Sequence, residues 1–318
     1  MINLIERAKG CIVGSAIGDA LCMPLEYINE EELNNLYGGK INEFKDPSLA
    51  HPCGHLKAGQ YTDDTQQTIA LAESILEKKG FDILVFAEKL KTWVSDNLEK
   101  PECNRFPGIT SITGCQELLH GIDPYQSGSK ISVSCGAIMR VSPVGVFYYA
   151  DPQLAMMYGR MSSIPTHSSQ IAIESAGFVA EVIANLMNGN DPLASCEVAL
   201  SNLTNVDLHE KIDFVCRNLG MDPKQMLKCT GSSASIFETL PFALYSFLKS
   251  PCSFEDCIVR AANDSIPGDT DSIACIAGAC AGAHNGYDKV PSKFKNGLEN
   301  RIFLEELAER LICEADER

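Results

Sequence analysis

Positive charge is scarce in this chain: 26 Lys and Arg stand against 42 Asp and Glu among 318 residues, a formal charge of −16. A protein that grips nucleic acid through its phosphates needs a basic face, so this composition excludes that class. An anionic ligand would meet a repulsive surface unless its site were locally positive, and a bound dication would make it so. Long apolar runs are also missing. The opening segment MINLIERAKGCIVG is broken by charges, and no signal-type apolar core follows it. The nearest candidate for a membrane span, Ile273 to Ala283, is short and built of small residues. The expectation is a cytoplasmic protein without a membrane partner. No CxxC pair occurs among the 14 cysteines, and the spacings Cys252–Cys257 and Cys275–Cys280 do not suit zinc. Cys11, Cys22, Cys275 and Cys280 fall in apolar helical stretches, where buried free thiols are expected rather than disulfides.

Alternating, strand-like segments are nearly absent; Ile131-Ser132-Val133-Ser134 is the best of them. There is no GxxxxGK[ST] loop, GxSxG elbow, HExxH helix or EF-hand pattern, which removes the commonest nucleotide, acyl-transfer and metalloprotease signatures. What remains is helical periodicity. It predicts helices over Leu4–Leu21, Asp64–Lys79, Phe81–Leu98, His167–Met187, Asp191–Leu203, Leu208–Leu219, Ser233–Leu248, Ser253–Asn263, Thr270–His284 and Leu298–Glu314, with a further start at Asp151-Pro152. The run from Ala274 to Ala283 is so rich in small residues that it predicts a central helix with close backbone neighbours. Stretches rich in Gly, Pro and Asn lie at 38–60, 99–136 and 264–269, and the second is long enough for a structureless loop to be a functional candidate. The reading is one all-α domain over 1–318, a compact multi-helix bundle.

Two clusters carry the chemistry. Thr62-Asp63-Asp64-Thr65 and Gly268-Asp269-Thr270-Asp271-Ser272 each open a predicted helix. Each alone reads as an N-cap, since Asp and Thr oxygens satisfy the free N–H groups at the positive end of a helix. Together they offer more carboxylates than capping needs. If the two helix starts converge, four carboxylates repel one another unless cations sit between them. Oxygen-only donors suit hard ions such as Mg²⁺, Mn²⁺ or Ca²⁺.

The order Gly18-Asp19-Ala20-Leu21-Cys22-Met23-Pro24-Leu25-Glu26, Thr62-Asp63-Asp64-Thr65, Gly136-Ala137-Ile138-Met139-Arg140, Thr166-His167 and Gly268-Asp269-Thr270-Asp271-Ser272 resembles that of the ADP-ribosylglycohydrolases, over roughly residues 5 to 290. The resemblance implies an all-α fold with two Mg²⁺ or Mn²⁺ ions at the base of an ADP-ribose cleft. By position, Thr62, Asp63, Asp64, Asp269, Asp271 and Ser272 would be the metal ligands, with Glu26 and Asp63 as catalytic groups. Ser132, Ser134, Cys135, Gly136 and His167 would contact the substrate, the segment 132–136 presenting backbone N–H groups to the diphosphate. Cys135 stands where several eukaryotic members carry Asn, and Ser272 where many have Thr. Asp19 is either a supporting group or a helix-end residue, and Arg140 either meets phosphate or braces the acidic centre. Thr230-Gly231-Ser232-Ser233 is either an adenosine loop or an ordinary helix start.

The partner implied is a protein or small molecule carrying ADP-ribose, most plausibly on arginine. ADP-ribosyl-serine, a modified nucleobase, a small conjugate and a non-catalytic ADP-ribose-binding role are the alternatives.

Overall fold

The computed structural model describes residues 3–317; Met1, Ile2 and Arg318 of the expected domain lie outside the described residues. Among the described residues are sixteen α-helices and no strand: α1 (Leu4–Cys22), α2 (Glu30–Tyr37), α3 (Asp63–Lys78), α4 (Ile83–Glu99), α5 (Ile109–Leu119), α6 (Ser142–Phe147), α7 (Pro152–Ser163), α8 (Gln170–Met187), α9 (Pro192–Leu200), α10 (Val206–Arg217), α11 (Pro223–Thr230), α12 (Ile236–Leu248), α13 (Phe254–Asp264), α14 (Thr270–Asn285), α15 (Ser292–Gly297) and α16 (Arg301–Asp316). The fold is all-α, as the periodicity predicts.

The centre of the bundle is the antiparallel pair α1 and α14. From Gly10 to Cys22 every residue of α1 is buried, and α14 is buried from Thr270 to Ala283. A helix buried on all faces shows no amphipathic stripe. Small residues recur every four positions on both helices, and Gly10, Gly14 and Gly18 face Gly282, Gly278 and Ala274 in turn. A Cβ on Gly14 would stand 2.5 Å from the Gly278 carbonyl oxygen, and one on Gly278 would come closer still to Gly14. The two backbones therefore touch directly, and only glycine leaves room for that. Being antiparallel, the pair sets the last turn of α1 beside the first turn of α14, where the Thr270 hydroxyl donates to the Cys22 carbonyl at 2.8 Å. Leu4–Leu25 and Gln170–Met187 are long and apolar enough to cross a membrane by length and composition, but 94% and 89% of their apolar windows are buried inside the protein.

Several expectations are corrected. Ile131–Ser134 forms no strand; Ser134 makes a lone antiparallel bridge with Ser235, because no neighbouring segment runs alongside to extend a ladder. The 99–136 stretch is not structureless. It contains α5, which buries Ser111, Gly114, Cys115 and Leu118 at helical spacing, and Gly114 lets it approach the Thr166 backbone. The acidic residues after Glu26 fold as α2, nucleated by an Asn29–Glu32 capping box. Helices expected to start at His167, Ser233 and Leu298 begin three residues later, with Ser169, Ser235 and Asn300 at their N-cap positions. All fourteen cysteines are free; Cys11, Cys22, Cys275 and Cys280 are buried, while Cys229, Cys252 and Cys313 are exposed.

The glycine seam makes a testable demand. Gly278→Val must separate α1 from α14 or strain both, at a cost of roughly 3 kcal/mol or more. Gly220→Ala, where a Cβ meets nothing within 4 Å, is the matched control. Thermal denaturation is expected to show a large loss for the first and almost none for the second.

Candidate active site

Three chain segments meet where α1 ends. Past Cys22 a buried 3₁₀ turn, Met23–Leu25, carries the chain to Glu26. Asp19, completely buried, receives the Thr62 amide at 2.9 Å, the Thr65 amide at 3.1 Å and the Thr65 hydroxyl at 2.5 Å. It is thus a supporting group that fixes the start of α3 against the end of α1. The α14 start lies alongside through the helix pair. The two acidic clusters consequently converge, and the Ser272 hydroxyl donates across them to Asp64 Oδ2 at 3.0 Å.

Both clusters also cap their helices: the Thr62 hydroxyl accepts from the Asp64 amide and Asp269 from the Ser272 amide. Capping uses one oxygen each of Thr62 and Asp269, and Asp63, Asp64 and Asp271 are carboxylates beyond what the two caps need. All three line a cavity of about 410 Å³. Glu26, Asp269 and Asp271 each place a carboxylate oxygen within 4.8 Å of the other two. Glu26 Oε2 is buried and has no hydrogen-bond partner. A buried carboxylate oxygen left without a donor costs free energy unless something charged or proton-bearing meets it. The all-oxygen donor set fits a hard divalent cation.

The opposite wall is built from 132–136 and His167. His167 Nδ1 pairs with the Thr166 hydroxyl at 2.8 Å and Nε2 with Ser134 Oγ at 3.0 Å. Gly136 is required here, since a Cβ would stand 2.8 Å from the His167 ring. Cys135 donates its thiol hydrogen to Asp269 Oδ2 at 3.0 Å. Behind this wall lies Arg140, fully buried, which donates to Gln67 Oε1, the Thr166 hydroxyl and the Ser162 carbonyl. Gln67 in turn donates to Asp63 Oδ2 at 2.7 Å. Arg140 therefore braces the acidic centre through one amide.

The electrostatics follow from burial. Burial, and then the charge of Asp269, holds the Glu26 carboxyl well above the usual range; the Tyr27 hydroxyl acts in the opposite sense. Asp63, Asp64 and Asp271 are raised in the same way, first by burial and then by Asp19, Asp63 and Glu26 respectively. Asp19 rises only to about 6, because the threonine donors offset part of its burial. His167 is pushed down to about 3 by burial and then by Arg140, so its ring is neutral. Burial, then Asp269, keeps Cys135 a thiol.

Of the expected site residues, Glu26, Asp63, Asp64, Ser134, Cys135, Gly136, His167, Asp269, Asp271 and Ser272 line one cavity. Thr62 and Ser132 do not line it. Thr62 sits behind Asp63 and Asp64, and Ser132 braces Ser134 and Thr110 by hydroxyl contacts of 3.0 and 3.1 Å. Thr230–Ser233 backs the second cluster: Ser232 accepts the Asp269 amide at 2.8 Å and crowds Gly268. Missed in the sequence are Tyr27, Phe106, Ile109, Ser111 and Ala234, which also line the cavity, as does Met139 of the Gly136–Arg140 motif. Phe106, Ile109 and Ser111 sit in the 99–136 stretch expected to be a functional loop, although nothing in their own residue pattern singles them out. Tyr27 could have been found by its place beside Glu26.

With this geometry the whole chain, residues 1–318, matches the ADP-ribosylglycohydrolase family, and it belongs to that family. It is 38% identical to an uncharacterized protein of Archaeoglobus fulgidus, covering 96% of each chain. It is 29% identical to ADP-ribosylarginine hydrolase Tri1 of Serratia proteamaculans, covering 98% of this chain and 81% of that one. A solved chain of an ADP-ribosylglycohydrolase-related protein complex shares the fold with a TM-score of 0.80 at 24% identity, covering 98% of this chain and 99% of that one.

The crowded carboxyls give stability a direction with pH. A carboxyl whose folded-state pKa is raised disfavours folding once the unfolded chain ionises, above about pH 4, and the penalty grows until the folded-state pKa is passed. In EDTA the melting temperature is expected to be higher at about pH 5.5 than at about pH 7.5. Millimolar Mg²⁺ or Mn²⁺ should raise it more at the higher pH, where the ligands would otherwise repel. An EDTA melting temperature that climbs between those two pH values contradicts this account.

Proposed function

We propose that the chain, working as one domain over 1–318, is a hydrolase that removes ADP-ribose from an acceptor, ADP-ribosyl-arginine on protein being the foremost substrate. The observation that carries the reading is the convergence of the two acidic clusters and Glu26 on the floor of one cavity, with Glu26 Oε2 buried and unpartnered. Two Mg²⁺ or Mn²⁺ ions would be held by Asp63, Asp64, Asp269, Asp271 and Ser272, with Thr62 supporting. When bound, they would supply positive charge that orients ribose hydroxyls and lowers the pKa of water.

The chain's own residues do the rest. Hydrolysis of a ribosyl bond passes through an oxocarbenium-like state, in which the acceptor leaves as the anomeric carbon becomes positive. Glu26 Oε2 is the group placed to take a proton from the attacking water or give one to the leaving group. The neutral His167 ring, fixed between Thr166 and Ser134, holds the 132–136 wall in place. Within this wall the amides of Ser132, Ser134 and Cys135 already donate to Ser129, Ser132 and Ala234, so those of Val133 and Gly136 are the ones that would meet a diphosphate. Cys135 spends its hydrogen on Asp269 and so offers the ribose no amide of the kind an Asn would bring. Compartment is read as cytoplasmic from the free thiols and from the burial, inside the protein, of both helices apolar enough to span a membrane.

Release of ADP-ribose from an ADP-ribosylated arginine protein tests the reading. Activity is expected with Mg²⁺ or Mn²⁺ and none in EDTA. Glu26→Gln should lower kcat by a factor on the order of 10² to 10⁴, the usual contribution of a positioned proton-transfer group. Asp63→Ala should abolish turnover and blunt the metal-induced rise in melting temperature. Turnover that survives both chelation and Asp63→Ala would refute the metal-dependent account.

A further inference from the structure

Two aromatic residues at the cavity stand out by backbone and by exposure. Tyr27 has φ 60° and Phe106 has φ 61°, a region that bulky L-residues rarely enter. Both line the cavity, yet they are 53% and 41% exposed. Residues held in such conformations persist only where their surroundings over-determine them, and they gather at functional sites. Here the surroundings do so. The Tyr27 amide is tied to the Gly268 carbonyl at 2.9 Å, immediately before the second acidic cluster. Phe106 follows Arg105, whose guanidinium is bonded to the Tyr61 carbonyl at 2.7 Å and to Glu299.

Both rings belong to the Glu26 end of the cavity. Tyr27 is the next residue after Glu26, and both line the cavity. Phe106 packs edge-on against His51, with ring centroids 6.4 Å apart. The His51 ring nitrogen receives the Cys53 amide, and Cys53 packs on Met23 in the turn that leads to Glu26. In an ADP-ribose conjugate the adenine lies beyond the diphosphate, far from the bond that breaks. Rings beside Glu26 therefore meet the acceptor, not the base.

We propose that Tyr27 and Phe106 form an aromatic rim that selects a planar, cationic leaving group of the guanidinium class, which donates to the unpartnered Oε2 of Glu26. A guanidinium is flat, delocalised and weakly hydrated, so it stacks on ring faces while its edge keeps N–H groups for a carboxylate. A seryl oxygen has neither charge nor π-face and gains nothing from these rings. The rim rests on the hydrolase reading above, and names the part of the chain that recognises its acceptor.

The test compares wild type with Tyr27→Ala, Tyr27→Phe, Phe106→Ala and Phe106→Leu. Each is assayed with Mn²⁺ for release of ADP-ribose from ADP-ribosyl-arginine and from an ADP-ribosyl-serine peptide. Agmatine, a free guanidinium probe, is titrated calorimetrically into each protein with ADP-ribose present. Tyr27→Ala and Phe106→Ala are expected to lower kcat/KM for the arginine conjugate by on the order of 10-fold and to weaken agmatine binding in parallel. The serine conjugate should not share that loss. Tyr27→Phe should rescue the arginine preference, because the ring and not the hydroxyl carries it. If an alanine variant melts early, Phe106→Leu, which keeps bulk without a π-face, still reports the effect.

Equal losses on both conjugates, or an unchanged arginine preference, would overturn the rim. So would a matching loss of ADP-ribose affinity alone, which would make the rings a nucleotide contact. Wild-type protein inactive on both conjugates would end the hydrolase reading instead. Agmatine binding that depends on Tyr27 and Phe106 would then still support the rim, and its absence would remove both.

Discussion

Backbone contact between α1 and α14 is the constraint on which the rest depends. Glycines at 10, 14, 18, 278 and 282 let two helices approach with no side chain between them. At that distance the end of one helix and the start of the other share a single neighbourhood, and Asp19 and Asp269 are carried into it. A wider helix pair would keep the same residues and lose their convergence. Asp19 then extends the arrangement to α3 by receiving three donors from Thr62 and Thr65. The acidic floor is thus a product of helix packing, with its carboxylates delivered by the end of α1 and the turn after it, the start of α3 and the start of α14.

That floor sets the second physical condition, because it concentrates negative charge in a region that burial has stripped of water. The chain supplies little internal compensation. Arg140, buried nearby with its pKa brought down to about 10 by desolvation, reaches Asp63 only through the Gln67 amide. Gln67 passes polarity without closing an ion pair, so the donors that reach the carboxylates are neutral and Glu26 Oε2 is left without one. Neutral groups complete the wall: a His167 ring with no charge, serine hydroxyls, and a thiol that donates to Asp269. The chain's overall excess of acid, which excluded phosphate-tracking partners, has its sharpest local form here.

The helical class was legible because nearly every long element repeats apolar or small residues at helical spacing. So was the acidic centre, because Thr62–Asp64 and Asp269–Ser272 hold more carboxylates than two caps can use. The short helices were harder. Residues 109–119 sit among glycine, proline and asparagine, and α5 forms because Cys115 and Leu118 find a core supplied by distant segments. The rim was illegible for a related reason. Phe106 reaches the cavity through the turn at Arg105 and its bond to Glu299, a partner 194 residues away that no local pattern announces. Thr62 and Ser132 show the converse: their residue types suit a site, and packing sets them just behind its wall.

The seam has a bearing on how the protein comes into being. Thr270 and Cys22 join the two central helices across a sequence separation of 248 residues. During synthesis α1 emerges well before α14, so its glycine face has no partner until α14 follows. Every helix made in between must wait without the element that organises the middle of the bundle. Contacts of such long range are slow to form and leave apolar surface uncovered meanwhile. The nascent chain therefore carries an incomplete core while the segment between α1 and α14 is made. A ribosome that stops short of α14 yields a polypeptide with the first acidic cluster and nothing to set against it.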